Sequence, residues 1–430
     1  CIRDRRTSSF IYKGSNLNLA DIASELKVDH VLEGSVRKSN NRVRITAQLI
    51  DAASDRHLWS DTYDRELTDI FVIQDEIANA IVSALRTELG TLTHTPAISV
   101  GVATEDLDAY QLFLKARGLF LTRTQLDTAV VLLEQTVALD PEFARAWGSL
   151  AAVYSIMAGW GYHDRDYDDL TSKAAQKALD LDPTMATPWA ALAQVASNSF
   201  DMLSSGEYFN KAIELDPNNA THLLWRGIQL STLGFQKESA ADIQRCLELD
   251  PAYENCRRHL SYTKFILNEN EIGFRLFNEG AEQGFDSSTY WLSQRFMTLG
   301  QRPLATRLIW DGIEHGSLFP GKEILDAMEF PMRDHSKGLV RFESFLDSTQ
   351  LSKEGWAAAW PMIYSILKAY DRVEADAAFP RWIWLDENAG FRQSKYFKSY
   401  TEKLGLLPYW RERGFPPNCR PLDEENFECN

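Results

Sequence analysis

This sequence has no long apolar run, no metal-ligand spacing and no familiar catalytic motif. Its eight histidines are scattered among 430 residues, and Cys-x-x-Cys, Gly-x-Ser-x-Gly and His-Glu-x-x-His are all absent. No run reaches the roughly 18 apolar residues that a membrane span requires. We therefore predict a chain without an active site, a cofactor or a metal, which is not an enzyme.

Two runs imitate ligand-binding loops without completing them. Residues 316–323 have the Gly-x-x-x-x-Gly-Lys frame of a phosphate loop, but Glu323 stands where Ser or Thr should hold Mg²⁺. Asp164, Asp166 and Asp168 match the start of a calcium loop, whose later Gly and Glu positions are not met. We predict no nucleotide site and a solvated acidic loop, with weak cation binding as the alternative.

The chain also lacks positive charge. Its formal net charge is −16 at pH 7, which repels phosphate backbones. We therefore expect no nucleic-acid binding through this segment. The 25% of charged and 44% of hydrophobic residues are typical of an ordinary globular chain.

What the sequence does contain is a ladder of Asp-Pro pairs. Their prolines, Pro141, Pro183, Pro217 and Pro251, are 42, 34 and 34 residues apart. Proline cannot continue a helix, so each pair ends one helix and begins the next. A period of about 34 residues is the signature of tetratricopeptide repeats.

The residues between these prolines resemble the consensus of that repeat family. Counting back from Pro217 places large and small residues at the expected positions, namely Trp189, Leu192, Ala193, Phe209 and Ala212. An aromatic residue on one helix opposite a small one on the next allows close packing. The longer first interval places an insertion near 159–169, a position at which solenoids often carry contact loops.

The first 90 residues follow a different pattern. A helix over 19–26 is followed by three period-2 runs, 31–37, 43–50 and 57–63, with turns near Asn40 and Asp55 between them. Asp69 is placed to cap a further helix. Its apolar stripe consists of Ile70, Ile73, Ile77, Ile81 and Leu85. We predict a small antiparallel meander covered on one face by this helix.

This region resembles the TolB amino-terminal-like domain of bacterial tetratricopeptide-repeat signalling proteins. The resemblance rests on Val-Leu-Glu-Gly-Ser-Val-Arg at 31–37, Arg-Val-Arg-Ile-Thr-Ala-Gln-Leu-Ile-Asp-Ala at 42–52, Trp-Ser-Asp-Thr-Tyr-Asp-Arg at 59–65, Asp-Ile-Phe at 69–71 and Gln-Asp-Glu-Ile at 74–77. It implies an output module before the domain, often a winged helix or a class III adenylate cyclase, usually joined through a membrane span.

The domain of that family normally begins with a further strand and helix. Because this chain lacks them and opens at Cys1 without Met, we expect a truncated chain and prefer that to the mature end of a lipoprotein. Any membrane attachment is then expected only through a missing N-terminal span.

The predicted fold is mainly α, with a small α/β domain before a repeat solenoid and a helical cap. We assign 1–90 to the TolB-like domain, 91–104 to a linker and 105–316 to about five to six repeats, the last ones degenerate around Trp291. Residues 317–430 form an aromatic-rich cap, expected to cover the apolar face of the final repeat. The ending, through Cys429, also resembles the tail of that family.

The first helix of each repeat lines a groove in proteins of this family. The 34-residue register selects candidate partner-binding residues on these helices: Arg145, Ala152, Thr187, Gln194, Leu224, Ile228, Arg258, Tyr262 and Phe265. The apolar ones would suit a protein or peptide partner with an apolar face. The alternative is that the C-terminal cap covers them itself.

The five cysteines are too few for a disulfide scaffold. Cys419 and Cys429 bracket a short terminal loop, and they are either bridged in an oxidising compartment or free. A bridge would place the chain on the periplasmic side of the bacterial inner membrane, whereas free thiols would favour the cytoplasm. Cys246 and Cys256 fall at core positions and are expected to be buried free thiols.

Three functional hypotheses follow. The leading one is a non-enzymatic sensory and scaffold region of a bacterial signalling protein that binds a protein or peptide in its repeat groove. The second is the regulatory half of a class III adenylate cyclase. The third is a structural accessory subunit of a larger envelope assembly, and a homo-oligomer is compatible with all three.

Overall fold

The computed structural model of this chain describes residues 17–26, 28–40, 42–66, 70–89, 104–159, 162, 164–282, 295–296, 298–301, 304–305, 335–337, 339–340, 343–344, 364–365, 367–373 and 380–430. The chain divides into two compact units, 1–146 and 147–430. Several sequence predictions lie outside the described residues: the cap at Asp69, the linker 91–104 apart from Thr104, the degenerate repeat at Trp291 and the loop-like run 316–323.

The first unit begins with the predicted meander. Helix α1 (Leu19–Leu26) precedes strands β1 (His30–Ser39), β2 (Arg42–Asp51) and β3 (Arg56–Glu66), which form an antiparallel sheet in the order β1-β2-β3. The turns are made where Asn and Asp tolerate a left-handed backbone, since Asn40 has φ 52° and Asp55 has φ 53°.

Helix α2 (Ile70–Leu89) packs against β3 and β2. Ile73, which is buried, contacts Val43 and Tyr63, and Ile77 lies at the margin of the same cluster. The inward residues of β2 alternate with outward ones, as the period-2 pattern predicts. The predicted α/β arrangement is therefore confirmed.

Helices in consecutive antiparallel pairs make up most of the remaining described chain. The first unit contains the pair α3 (Leu107–Thr122) and α4 (Leu126–Leu139). The second unit contains α5 (Ala144–Gly159, which begins at the end of the first unit), α6 (Tyr167–Leu181), α7 (Ala186–Asn198), α8 (Met202–Leu215), α9 (Ala220–Thr232), α10 (Gln236–Leu249), α11 (Glu254–Ile266) and α12 (Asn270–Glu282).

Every second helix of a pair ends directly before an Asp-Pro. The capping aspartates Asp140, Asp182, Asp216 and Asp250 have φ of −129°, −145°, −139° and −139°. Steric contact with the proline ring excludes the helical conformation for the preceding residue. The ladder therefore sets the helix ends through local chemistry, as predicted.

The turns inside the pairs repeat with the same period. Phe200, Gly234 and Asn268 have φ of 61°, 93° and 61°, and they are 34 residues apart in the sequence. Only Gly234 is a glycine, so the sequence pattern reveals this left-handed position at one turn of the three.

Close helix contacts within the pairs depend on small residues. A Cβ added at Gly227 on α9 would lie 2.5 Å from Cγ1 of Ile243 on α10. Trp189 on α7 contacts Tyr208 on α8, with ring centroids 5.6 Å apart. These contacts between large and small residues are the ones that the repeat consensus predicts.

The C-terminal region is less helical than predicted. It contains short 3₁₀ helices at Tyr370–Arg372, Arg381–Trp384 and Asp386–Asn388, then α13 (Ala389–Arg392), α14 (Tyr396–Lys403), α15 (Leu406–Arg413) and a hairpin of β4 (Cys419–Pro421) and β5 (Phe427–Cys429). We call residues 380–430 the cap. Its core includes Trp384, Phe391, Phe397 and Trp410, all almost fully buried.

Candidate partner-binding surface

The predicted groove residues differ in how accessible they are. Arg145, in the first unit, is exposed and lies 5.6 Å from the ring centroid of Phe113. Gln194 on α7 and Ile228 on α9 are half-buried. Arg258 on α11 is half-buried as well, and its guanidinium donates to Asn255 Oδ1 at 2.7 Å.

Three of the predicted groove residues are not available to a partner. Leu224, Tyr262 and Phe265 are exposed by only 2%, 3% and 0%. Their assignment as contact residues is wrong, because the 34-residue register determines which way a side chain points but not what covers it.

The cap and neighbouring aromatic residues cover this end of the array. The Arg381 guanidinium lies 4.7 Å from the ring centroid of Tyr262. Phe265 contacts Phe274 and Phe296 edge-on, with centroids 4.9 and 5.2 Å away. Of the two alternatives raised by the sequence, the structure has the one in which the chain covers its own apolar groove positions.

Two indoles anchor the cap to the turn between α9 and α10. Trp384 Nε1 donates to the carbonyl of Thr232 at 2.8 Å, and Trp410 Nε1 donates to the carbonyl of Leu233 at 2.9 Å. A Cβ at Gly234 would lie 2.7 Å from the Trp384 ring. The indoles satisfy helix-end carbonyls that would otherwise be buried without a donor.

The cap also reaches the pairs on either side. Arg413 pairs with Glu207 on α8 at 2.7 Å, and Tyr409 lies beside Gly206 on the same helix. At the other side, Glu387 pairs with buried Arg295 at 2.8 Å. Arg295 in turn donates to Asn268, in the turn between α11 and α12. The cap thus follows one edge of three consecutive pairs, whereas the sequence predicted only a cover for the last one.

Buried arginines hold the cap together. Burial lowers the pKa of Arg381 to about 10 and that of Arg392 to about 10. Arg392 donates to the carbonyls of Ile383, Leu385 and Asn430. Because a buried cation needs such partners, the geometry of these main-chain segments is narrowly defined.

Two buried histidines lie on the first helices. Burial lowers the pKa of His222 on α9 to about 4, and Asp216 opposes this change. Burial lowers the pKa of His259 on α11 well below its usual value, assisted by Arg381 and Arg258. Both imidazoles are therefore neutral near pH 7.

The acidic insertion has structural roles. Asp166 accepts from the Asp169 amide at 3.1 Å and caps α6, Asp164 accepts from the Tyr167 hydroxyl at 3.1 Å, and Asp168 accepts from the Asn198 amide at 2.9 Å. In the described part of the chain, no group of three or more His, Cys, Asp or Glu side chains could hold a metal ion.

The structure contains two cysteine pairs. Cys419 and Cys429 are directly opposite each other in the β4–β5 hairpin and form a disulfide. Cys246 and Cys256 form a second disulfide, with Cα atoms 6.0 Å apart on α10 and α11. The expectation of free thiols at these core positions is wrong, since the helix turn brings them within bridging distance.

Among the helices of the described residues, none combines the length and the apolarity needed to cross a membrane.

Comparison with known proteins points to the same repeats. A family model described as tetratricopeptide repeat matches residues 186–219, which begin with α7 and include all of α8. The putative adenylate cyclase 3 of Rhizobium meliloti is 38% identical over 181 residues, which are 41% of this chain and 30% of that protein. The transcriptional regulator HilA of Salmonella typhimurium is 24% identical over 302 residues, 68% of this chain and 53% of HilA.

Among solved structures, PilW, a type IV pilus biogenesis factor, is 17% identical and covers 51% of this chain and 99% of its own, with a TM-score of 0.39. The chain therefore spans about half or less of the two curated relatives named above. The matched repeat, together with the period of the helix pairs around it, identifies this chain as one that contains tetratricopeptide repeats.

Proposed function

We propose that this chain is the non-enzymatic, protein-binding region of a bacterial signalling protein. The partner surface is a strip on α7 and α9 that consists of Thr187, Gln194, Thr221 and Ile228. These residues are half-buried and occupy equivalent positions, 34 residues apart, on successive first helices. The observation that supports this choice is the contrast with α11, where Tyr262 and Phe265 are covered.

The chemistry of the strip suits an extended peptide. Threonine hydroxyls and the Gln194 amide offer both donors and acceptors to a peptide backbone. Ile228 offers one apolar contact between them. Tetratricopeptide repeats bind protein or peptide partners through surfaces of this kind.

Site-specific photo-crosslinking in cells tests this surface. A photoreactive residue at 194 or 228 is expected to form one discrete adduct, and the Gln194→Trp variant is expected to prevent the adduct at 228. The matched control is position 214 on α8, where Glu214 has an exposed side chain that pairs only with neighbouring Lys211. Equal labelling at 214 and at the strip would contradict the proposal.

A second candidate is the regulatory half of an adenylate cyclase. It is favoured by the identity of 38% over 181 residues with a putative adenylate cyclase. The test is cyclic AMP formation from ATP by the full-length product of the native gene, with and without Gln194→Trp. A cyclase output requires cyclic AMP formation that changes with the variant. DNA binding without cyclic AMP formation would instead support a transcriptional output, as the HilA match suggests.

We further propose that the repeats lie on the periplasmic side of the inner membrane. Two disulfides in one chain favour an oxidising compartment. Intact mass of the natively expressed protein, alkylated with and without prior reduction, tests this. Alkylation of Cys419, Cys429, Cys246 and Cys256 without reduction would contradict it and favour the cytoplasm.

A further inference from the structure

Strand β1 is the most exposed element of the first unit. It lies at one edge of the sheet, and among the described residues no strand pairs with its outer side. Every residue from Leu32 to Ser39 is exposed. An edge strand of ten residues presents a row of backbone donors and acceptors that can pair with another chain.

The apolar face of the sheet continues onto this strand without a cover. Leu32 is opposite Leu49, and Val36 is opposite Ile45, so they point to the same face as the buried residues of β2. Helix α2 packs on β3 and β2, and at β1 the side chains of Leu32 and Val36 remain 50% and 68% exposed. Such exposed apolar residues on an unpaired strand mark an association surface.

We propose that β1 pairs in antiparallel fashion with β1 of a second copy of this chain, about a two-fold axis at Gly34. In this register Leu32 is opposite Val36 of the second copy, and the symmetry repeats that contact. Glu33 is diagonal to Arg37 of the second copy. Both relations place complementary side chains at distances where cross-strand pairs interact.

The sequence of β1 selects this register over its neighbours. An axis at Ser35 would place Leu32 opposite Lys38 of the second copy, and an axis at Glu33 would place two Glu33 carboxylates opposite each other. Like charges that are directly opposite destabilise a sheet. The axis at Gly34 is the one that matches apolar with apolar on one face and offers opposite charges on the other.

The contact is small, so the dimer is expected to be concentration-dependent. A single pair of edge strands buries less than the roughly 1,200 Å² of a stable interface. It joins the two sheets into one six-stranded sheet, and isologous pairing of this kind closes after two copies.

Sedimentation equilibrium of the full chain tests the proposal. The average mass is expected to rise from 48.9 kDa towards twice that value as the concentration approaches about 1 mM. The double variant Leu32→Lys/Val36→Lys is expected to remain at the mass of one chain. Because both side chains are exposed, the variant is expected to retain the wild-type circular dichroism spectrum.

The matched control is Val131→Lys on α4, where the side chain is also 50% exposed. This variant is expected to dimerise as the wild type does. A wild type that stays monomeric throughout, or equal loss of the dimer in both variants, would overturn the proposal. A monomer whose β1 amides resist hydrogen exchange at every concentration would overturn it as well, and would indicate that the same chain covers the edge.

Disulfide trapping tests the register independently. In a Cys1→Ser background, chains carrying Leu32→Cys are mixed with chains carrying Val36→Cys and oxidised. A covalent dimer is expected from this mixture in at least tenfold excess over the mixture of Leu32→Cys with Lys38→Cys. The reverse preference would overturn the axis at Gly34 in favour of the axis at Ser35.

Discussion

The repeats from α7 to α10 and the cap both bury aromatic side chains completely, but they do so in different ways. In the repeats, Phe209 and the small residues around it are buried by packing between adjacent helices. In the cap, Trp384 and Trp410 hydrogen-bond to carbonyls that are 152 and 177 residues away in sequence. The first core uses a local pattern that repeats, and the second uses contacts that occur once.

The difference has an energetic consequence. A helix pair with generic apolar contacts tolerates replacements that conserve volume. The cap depends on buried indole and guanidinium groups whose partners must stay in place, because an unpaired buried donor or acceptor carries a desolvation cost. We expect the cap to be the more sensitive region to single substitutions that remove hydrogen bonds.

The largest effect is expected from Trp384→Ala. The indole is 1% exposed and is the donor to the Thr232 carbonyl, so the change leaves both a cavity and an unpaired acceptor. We expect the free energy of unfolding to fall by about 5 kcal/mol, measured by urea denaturation with circular dichroism. Trp384→Phe separates the two causes, because it keeps most of the volume. A loss below about 1 kcal/mol in Trp384→Ala would contradict the role assigned to this residue.

The next largest effect is expected from Glu387→Ala. This change leaves the Arg295 guanidinium, whose side chain is 5% exposed, without its carboxylate. Breaking a buried pair by removing one partner costs about 4 kcal/mol. The control is Arg413→Ala, which breaks the exposed pair with Glu207 and is expected to cost less than about 1 kcal/mol. Similar losses in the two variants, measured by the same denaturation, would show that burial does not distinguish these pairs.

In the repeats, the corresponding sensitive group is His222. Its pKa is about 4 in the folded chain against 6.5 otherwise. Between these pH values the unfolded chain binds a proton that the folded chain does not, so stability falls as the pH falls. The loss from pH 7 to 4 through this group is about 3 kcal/mol. His222→Phe should lack that part of the pH dependence, and identical slopes for the two proteins would contradict the burial argument.

The smallest effect in this series is expected from Gly227→Ala. The new Cβ would lie 2.5 Å from Ile243, so α9 and α10 must separate slightly, at a cost of about 2 kcal/mol. Gly118 on α3 is the matched control, because a Cβ there meets nothing within 4 Å. Gly118→Ala should stabilise its helix by about 0.5 kcal/mol. Changes of the same sign in the two thermal unfolding curves would refute the close approach at Gly227.

The predictions from sequence succeeded where the cause is local. An Asp-Pro pair ends a helix through the sterics of one residue, and a period-2 run forms a strand next to its neighbour, so both could be predicted. The turn at Phe200 was missed because a bulky residue occupies a left-handed conformation that the sequence pattern assigns to glycine.

The groove was predicted less well for the opposite reason. The register identifies which residues face inward, and this remains useful for Gln194 and Ile228. It carries no information on the cap, whose contacts have no period and join distant residues, so Tyr262 and Phe265 were misassigned. Cys246 and Cys256 are also separated by ten residues, like Cys419 and Cys429, but core position outweighed spacing in the expectation.

The path of the cap along three helix pairs limits how this array can change in evolution. Repeat proteins gain and lose units readily when each unit contacts only its neighbours. Here Arg413 and Glu387 contact α8 and Arg295 from one short stretch of chain. A pair inserted between α8 and α12 would move these anchors apart by about 10 Å, the distance between packed helices. The number of pairs between the anchors is therefore fixed by the length of the cap, and new repeats can be accommodated only before α7.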